Sequence, residues 1–136
     1  MARVTLRLVL GCGLVAAGVA AAAPATAAAE GTSGAQTMIQ LSVVPQDGGP
    51  GRTATLTCEP AGGTHPTPEI ACAELADANG NVSQVPPRPG WFCLQVWDPV
   101  DATASGYWRG MPIWPYSETI TNDGCARIAH GHVLDF

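Results

Sequence analysis

The sequence predicts an α+β fold, in which a mostly antiparallel sheet carries a helix on one face. Several runs alternate between apolar and polar residues, as half-buried strands do. One segment combines a helical start signal with helical spacing. The chain has 16 glycines and 12 prolines among 136 residues, and only 12% of its residues are charged. This composition excludes a coiled coil or a long helical bundle.

The first 29 residues predict a secretory signal peptide. They contain two arginines and no acidic residue, and an apolar stretch runs into alanines with small residues at the positions a signal peptidase reads. A membrane anchor is one alternative, but Ala and Gly contribute little insertion energy. Lipidation at Cys12 is a second alternative, disfavoured by the short apolar run before it. We therefore expect a secreted, extracellular protein with residues 30–136 as its single domain and no membrane attachment after cleavage.

The charge of this domain is acidic. Four arginines stand against eleven acidic residues, a formal net charge of −7, and the chain has no lysine. A nucleic-acid binder needs a basic face to neutralise phosphate, so nucleic acid is excluded as a partner. A polybasic membrane-surface anchor is excluded for the same reason.

Export also decides how the cysteines are interpreted. Four remain after the leader, namely Cys58, Cys72, Cys93 and Cys125. An even number in a small exported domain predicts two disulfides, and four cysteines allow three pairings. A zinc site is the alternative, but no Cys-x-x-Cys pair is present.

The first half of the domain predicts a hairpin followed by a helix. Alternation predicts strands at residues 38–44 and 53–58, joined by a Gly/Pro-rich turn. Thr67 is the expected N-cap of the helix, Pro68 its first residue and Gly80 its stop. Helical spacing turns Cys72 toward the core, where a strand cysteine such as Cys58 could meet it.

The second half is less regular. A proline-rich loop covers residues 81–90. Strands are expected at residues 100–109 and 113–121, with a break at residues 110–112. A short helix at residues 123–129, capped by Asn122 or Asp123, and a final strand at residues 133–136 complete the prediction.

Enzymatic chemistry has little support in this sequence. There is no Gly-x-Ser-x-Gly motif. The pair His130 and His132 is a weak metal signal without further clustered ligands, so structural or exposed histidines are expected. Asp98 and Asp101 could be an acid–base pair, but nothing beside them suggests a substrate pocket. We predict a protein that is not an enzyme and that binds no metal or cofactor.

The segment from Phe92 to Pro99 has two interpretations. Its bulky apolar residues around Cys93 are typical of an exposed binding loop. An ordinary buried strand is the alternative. Alternation is imperfect, since Gln95 lies amid apolar residues, and the pattern alone leaves both open.

Several motifs together resemble the Streptomyces subtilisin inhibitor family. They are Thr55-Leu56-Thr57-Cys58-Glu59-Pro60, Gly63-Thr64-His65-Pro66, Ala71-Cys72-Ala73-Glu74-Leu75, Cys93, Val96, Asp98-Pro99-Val100, Gly106-Tyr107-Trp108-Arg109-Gly110, Asn122, Cys125 and Ala129-His130-Gly131. The resemblance runs through nearly the whole domain.

The resemblance implies a fold, a partner and a site. It implies a five-stranded antiparallel sheet with two helices, the disulfides Cys58–Cys72 and Cys93–Cys125, and a homodimer. It implies inhibition of extracellular subtilisin-like serine proteases by a substrate-like loop. The implied protease-binding residues are Phe92, Cys93, Leu94, Gln95, Val96 and Trp97, with Gln95–Val96 as the reactive bond and Gln95 as the primary specificity residue.

The chain departs from the family at the centre of this site. Relatives commonly have Met or Lys where Gln95 stands and Pro where Leu94 stands. Asn122 lies one residue further from Cys125 than the family pattern, which leaves a loop-supporting role for it open. A weak inhibitor of the same fold, or a binding partner or substrate of a metalloprotease or transglutaminase, is therefore the alternative function. Trp91 and Trp114 have no assigned role at this stage.

Overall fold

The computed structural model describes residues 36–136. The predicted signal peptide, residues 1–29, lies outside the described residues. The strands are β1 (Thr37–Pro45), β2 (Arg52–Cys58), β3 (Gly62–Gly63), β4 (Val100–Trp108), β5 (Met111–Pro112) and β6 (Tyr116–Ile120). The helices are α1 (Pro68–Asp77) and α2 (Asp123–Ala129), with a short 3₁₀ turn at Val82–Gln84. Within the described part of the chain, neither α-helix is long and apolar enough to cross a membrane.

All strand pairs in the sheet are antiparallel, in the order β3-β2-β1-β4-β5, and β6 also pairs with β4. Strand β1 is central, with Leu41 opposite Ala54 on β2 and Ala104 on β4. The predicted alternation is confirmed, because Ile39, Leu41 and the other inward residues of β1 are buried. The α+β class, the antiparallel sheet with two helices and the first hairpin are therefore confirmed; two of the six strands are only two residues long.

Helix α1 covers the buried face of the sheet. Pro68 occupies its first turn as predicted, and Leu75 is completely buried. The expected side-chain cap at Thr67 is wrong: its Oγ1 is buried without a partner. The Thr67 backbone has ψ near 61°, outside the extended range that lets an N-cap side chain reach back to the helix.

Gly80 ends the first helical segment, as predicted. Its φ is +77°, and its N–H donates to the carbonyl of Leu75 at 2.8 Å. A Cβ at this position would overlap the Trp108 ring. Gly80 therefore both reverses the chain and lets β4 pack close to the helix end.

The predicted break between the last strands is displaced. Arg109 and Gly110 have positive φ and form a tight turn, so Met111 pairs with Trp108 in β5. The interruption falls instead at residues 113–115, before β6. Pro115 lacks an N–H and cannot donate to a neighbouring strand.

The predicted final strand at residues 133–136 is wrong. Val133 and Leu134 are adjacent and both completely buried, so the alternation of a half-buried strand is absent here. The segment forms turns, in which the N–H of Val133 donates to the carbonyl of His130. Arg52 Nη1 donates to the backbone oxygen of Leu134 at 2.7 Å and draws the segment against the sheet.

Both disulfides implied by the family resemblance are present. Cys58–Cys72 joins β2 to α1, with Cα atoms 5.7 Å apart. Cys93–Cys125 joins the loop before β4 to α2, with Cα atoms 4.9 Å apart.

Candidate functional site: an exposed loop tied to helix α2

Residues 91–97, here called the apolar loop, lie outside regular secondary structure. Their side chains are unusually exposed: Phe92 is 93% exposed, Leu94 82%, Trp97 74% and Val96 63%. Single exposed apolar residues are ordinary on protein surfaces, but several in a row mark an interaction surface. Of the two interpretations of the pattern, the buried strand is therefore wrong.

Cys93 attaches the loop covalently to α2 through Cys125. The neighbouring Gln95 side chain folds back toward this bridge, with Nε2 3.2 Å from Cys93 Sγ. The bridge is thus at the centre of the loop, where it limits movement of the residues on both sides.

Asn122 holds the loop from inside. It is the N-cap of α2, where its Oδ1 accepts from the N–H of Cys125 at 2.9 Å. Its Nδ2 donates to the carbonyl of Leu94 at 2.7 Å and to the carbonyl of Val96 at 2.8 Å. One side chain therefore uses its acceptor for the helix and both donors for the loop, and the loop-supporting role left open by the sequence is resolved.

The two bonds from Asn122 also orient the peptide between them. Asn122 Nδ2 holds the carbonyls of Leu94 and Val96, and the Gln95 and Val96 residues are both exposed. The Gln95–Val96 peptide therefore lies at the surface, with a restrained carbonyl on each side of the Gln95 carbonyl.

The C-terminal side of the loop is held by main-chain bonds. The N–H of Asp98 donates to the carbonyl of Thr121 at 2.9 Å, just after β6. The carbonyl of Pro99 accepts from the N–H of Gln46 at 2.9 Å. Asp101 accepts from Gln46 Nε2 and from Thr119 Oγ1, and these hydrogen bonds lower the pKa of its carboxyl. Asp101 therefore supports this side of the loop, and the partners of its carboxylate are Gln46 and Thr119.

Sequence reasoning missed the residues before the loop. The guanidinium of Arg88 stacks on the Trp91 ring, 4.6 Å from Arg88 Cζ to the ring centroid. Arg88 Nη1 also pairs with Asp135 at 2.8 Å. Adjacent to them is a groove of about 570 Å³ between the loop and α2, lined by Trp91, Leu94, Val96 and Ile128 among others. Only a lone charge beside a proline-rich stretch hinted at Arg88.

The histidines have structural surroundings. His130 Nε2 lies 2.9 Å from Glu118, and His132 Nδ1 lies 2.7 Å from Glu74. The two rings contact different carboxylates and do not converge on one ion. Among residues 36–136, no group of three or more His, Cys, Asp or Glu residues could hold a metal.

The Glu118 carboxylate next to His130 is also hydrogen-bonded by Tyr116 at 2.9 Å. Burial disfavours the charged form of Glu118, but the bonds from His130 and Tyr116 outweigh it and lower the pKa of this carboxyl. Burial and the adjacent carboxylate raise the pKa of Tyr116 far above its ordinary value. The cluster therefore fastens the end of α2 to β6, with the Tyr116 and His130 side chains buried and the Glu118 carboxylate at the surface.

Comparisons with known proteins agree with this geometry. A family model described as "Subtilisin inhibitor-like" matches residues 32–122. The "Subtilase-type protease inhibitor" of Streptomyces fradiae is 43% identical over 89 residues, covering 64% of this chain and 62% of that protein. "Subtilisin inhibitor-like protein 5" of the same organism is 40% identical over 88 residues, covering 64% of this chain and 81% of that protein. The chain thus spans less than two thirds of the first of these relatives.

A solved structure is similar over the whole domain. It is Streptomyces caespitosus sermetstatin, crystallised in complex with Bacillus licheniformis subtilisin. It has a TM-score of 0.59 and 28% sequence identity, and the match covers 74% of this chain and 99% of that one. By the match of most of its domain to the family model, by the relatives and by this fold, the chain belongs to the subtilisin inhibitor-like family.

Proposed function

We propose that this protein inhibits subtilisin-like serine proteases through the apolar loop, with Gln95–Val96 as the reactive bond. The observation that carries the proposal is the exposed Gln95–Val96 segment, restrained by Cys93–Cys125 and by both donors of Asn122. The relatives' names and the sermetstatin–subtilisin complex support the same class of partner. In this proposal the protein is a binding partner of the protease and not itself an enzyme, and no cofactor takes part.

The loop binds as a protease substrate does. An extended peptide adds a strand along the enzyme's cleft through main-chain hydrogen bonds. Phe92, Cys93 and Leu94 fill the acyl-side subsites, Gln95 enters the primary pocket, and Val96 and Trp97 lie on the leaving side. Because the loop is ordered before binding, little conformational entropy is lost in the complex.

Restraint explains why attack does not lead to turnover. The catalytic serine oxygen adds to the Gln95 carbonyl carbon, and the serine proton passes through the histidine to the Val96 nitrogen as the peptide bond breaks. In a flexible substrate the new amine then diffuses away. Here Asn122 holds the Val96 carbonyl and Thr121 holds the Asp98 N–H, so the amine stays beside the acyl carbon. Resealing of the peptide therefore competes with hydrolysis.

The side chain of Gln95 sets the expected target. It is polar and uncharged, so a trypsin-like pocket with a carboxylate at its base gains no ion pair from it. The broader subtilisin pocket accepts it, and exposed Phe92 suits an apolar distal subsite. We therefore expect inhibition of subtilisin to exceed inhibition of trypsin.

The test is a titration of subtilisin, trypsin and chymotrypsin with the purified domain. Stoichiometric, saturable loss of subtilisin activity, with any slow cleavage mapped to Gln95–Val96, supports the proposal. Rapid loop proteolysis without inhibition contradicts it and favours the alternative, a substrate or partner of a metalloprotease or transglutaminase. Gln95→Lys is expected to shift inhibition toward trypsin. An unchanged preference would show that Gln95 does not occupy the primary pocket.

Secretion belongs to the same proposal. Two disulfides suit an oxidising compartment, where the proposed target enzymes also work. Expression of the full chain should yield protein in the culture medium with an N-terminus near residue 30. Retention of residues 1–29 on a cell-associated protein would contradict this part.

We propose a homodimer formed by the outer face of β1 and β4. On this face Met38 lies opposite Tyr107, at 48% and 55% exposure, uncharged residues follow, and Asp101 opposite Val44 is the one charged residue of β1 and β4. A face with a single charge at one end has little electrostatic barrier to pairing with a second copy. Thr103→Glu on this face is expected to shift the domain to monomer in sedimentation equilibrium. The control Ala73→Glu, exposed on α1, is expected to leave the mass unchanged; a monomeric parent would contradict the dimer.

A further inference from the structure

The chain turns sharply just before the apolar loop. The N–H of Arg88 donates to the carbonyl of Ile128 at 3.0 Å, near the end of α2. Gly90 has φ +77°, and the N–H of Trp91 lies 3.4 Å from the carbonyl of Arg88. The entry to the loop is therefore attached to the same helix as the disulfide, five residues earlier in the chain than Cys93.

Trp91 is covered on one face only. The Arg88 guanidinium stacks on its ring, while 60% of the residue remains exposed. A guanidinium over an indole is attracted by the ring's negative face. The Arg88 side chain is only 14% exposed, so this attraction is less screened than on an open surface.

The Arg88 guanidinium is held in position by a line of ion pairs. Asp135 Oδ2 accepts from Arg88 at 2.8 Å, and Asp135 Oδ1 lies 3.2 Å from Arg127 Nη1. Arg127 Nε pairs with Asp123 at 3.0 Å, and Asp123 pairs with Arg52 of β2 at 2.6 Å. Burial disfavours ionisation of Asp123, but the two arginines outweigh it and lower the pKa of its carboxyl. The line therefore connects Trp91 through α2 to the central sheet.

The groove behind the loop makes such a support necessary. Leu94 and Val96 are exposed apolar side chains beside an open space of about 570 Å³ that Trp91 and Ile128 also line. Apolar side chains gain free energy by moving into such a space. A fixed Trp91 ring at its edge opposes that collapse.

From this arrangement we infer that Trp91 is a positioning residue for inhibition, held by Arg88 and Asp135 as a second, non-covalent anchor of the loop's acyl side. This inference rests on the proposed function, because its effect is measured on the complex with a protease. Arg88 acts through Trp91 and needs no contact with the enzyme. The anchor keeps Phe92 and Cys93 extended before the enzyme arrives.

The test is a double-mutant cycle on subtilisin inhibition. Arg88→Ala and Trp91→Ala are each expected to raise the inhibition constant about fivefold, as loss of one cation–π contact implies. The double variant is expected to stay near fivefold, because both changes remove the same contact. Trp91→Phe, which keeps a ring under the guanidinium, should remain within about twofold of the parent.

Two further variants separate positioning from stability. Arg88→Lys keeps a charge for Asp135 but loses the planar stack, so we expect an unchanged Tm and weaker inhibition. Arg109→Ala is the matched control, since Arg109 stacks on Trp108 at 5.1 Å and pairs with Glu59 at the far end of β4. It should leave inhibition unchanged.

The outcomes are distinct. Weakening by Trp91→Ala but not by Arg88→Ala would make Trp91 a direct enzyme contact and overturn the inference, as would no effect of either. A parent that does not inhibit would refute the proposed function instead. The structural part of the inference, that Arg88 and Trp91 anchor the loop, would then be decided by ¹⁵N relaxation of the free protein. Lower order parameters at Phe92 to Val96 in Arg88→Ala would support it, and unchanged ones would overturn it.

Discussion

The two disulfides are similar bonds in dissimilar surroundings. Cys58–Cys72 closes a separation of 14 residues and lies against the core, where Cys58 is 4% exposed. Cys93–Cys125 closes 32 residues and attaches an exposed loop to a helix. Loop-closure entropy assigns about 3 kcal/mol of stability to the first and about 4 kcal/mol to the second. The stabilities are nearly equal, so the role of each bridge follows from what it holds.

The difference teaches how a small domain can keep an apolar segment outside its core. The core bridge reinforces contacts that burial already favours, since β2 and α1 pack together. The loop bridge opposes burial, because the groove beside it would otherwise take up apolar side chains. The loop is therefore held in place by conformational restraint and not by packing in the core, and this restraint keeps its peptide exposed.

The largest expected effect comes from removing the loop bridge. The double variant Cys93→Ser/Cys125→Ser frees about four loop residues, at about 1 kcal/mol each, so inhibition of subtilisin should weaken about 1,000-fold. The loop should then be cleaved as a substrate. Inhibition constants and mass spectrometry of the cleaved peptide measure this. Undiminished inhibition with an intact loop would show that the Cys93–Cys125 bridge is not what restrains the loop.

Removing the core bridge should act on stability instead. Cys58→Ser/Cys72→Ser is expected to lose about 3 kcal/mol of unfolding free energy. While the variant is folded, its inhibition constant should stay within about threefold of the parent. Chemical denaturation and inhibition assays on the same samples check both. A weakening as large as that of the loop-bridge variant would show that the two bridges are not separate in role.

Asn122 restrains the same loop without a covalent bond. Asn122→Ala loses two hydrogen bonds to loop carbonyls, about 2 kcal/mol together, so inhibition should weaken about 30-fold. Asn122→Asp keeps an oxygen for the N–H of Cys125 but has no donor for the loop. It should therefore weaken inhibition at least as much with little change in Tm. Normal inhibition by Asn122→Asp would show that the two hydrogen bonds from Asn122 Nδ2 are not what supports the loop.

The smallest expected effect is a pH dependence of the unfolding free energy. It comes from His65, which lies between Cys58 and Cys72 in the chain. His65 is 4% exposed, and burial lowers its pKa, while its Nε2 lies 3.2 Å from the carbonyl of Val133. The unfolded chain therefore binds a proton before the folded one does, and stability should fall as pH drops below about 6.5. The slope is at most about 1.4 kcal/mol per pH unit for one proton.

Denaturation of the parent and of His65→Gln at several pH values measures this slope. The variant should be less stable at pH 8 but lose less stability between pH 6.5 and 5. Equal slopes would show that His65 does not carry the dependence. Loop inhibition assayed on folded parent protein should be insensitive to this titration, since His65 lies outside the loop.

Local patterns determined the secondary structure well where one effect dominated. Alternation predicted β1 and β2 because one face of each strand is buried, and Pro68 with Gly80 predicted the limits of α1. Prediction was wrong at the C-terminus because a distant group, Arg52, draws the last residues into turns. It was wrong at Thr67 because the backbone conformation of that residue keeps its side chain from the helix, which residue type alone does not reveal.

Patterns in the sequence predicted the α+β class, the disulfide-bonded character and, through its motifs, the family. The three-dimensional structure was needed to show that residues 91–97 lie outside the core and that Asn122, Arg88 and Asp135 lie around them. The difference comes from the range of the interactions. Periodicity and capping act within one element, whereas exposure of an apolar loop depends on groups up to 47 residues away, as with Arg88 and Asp135.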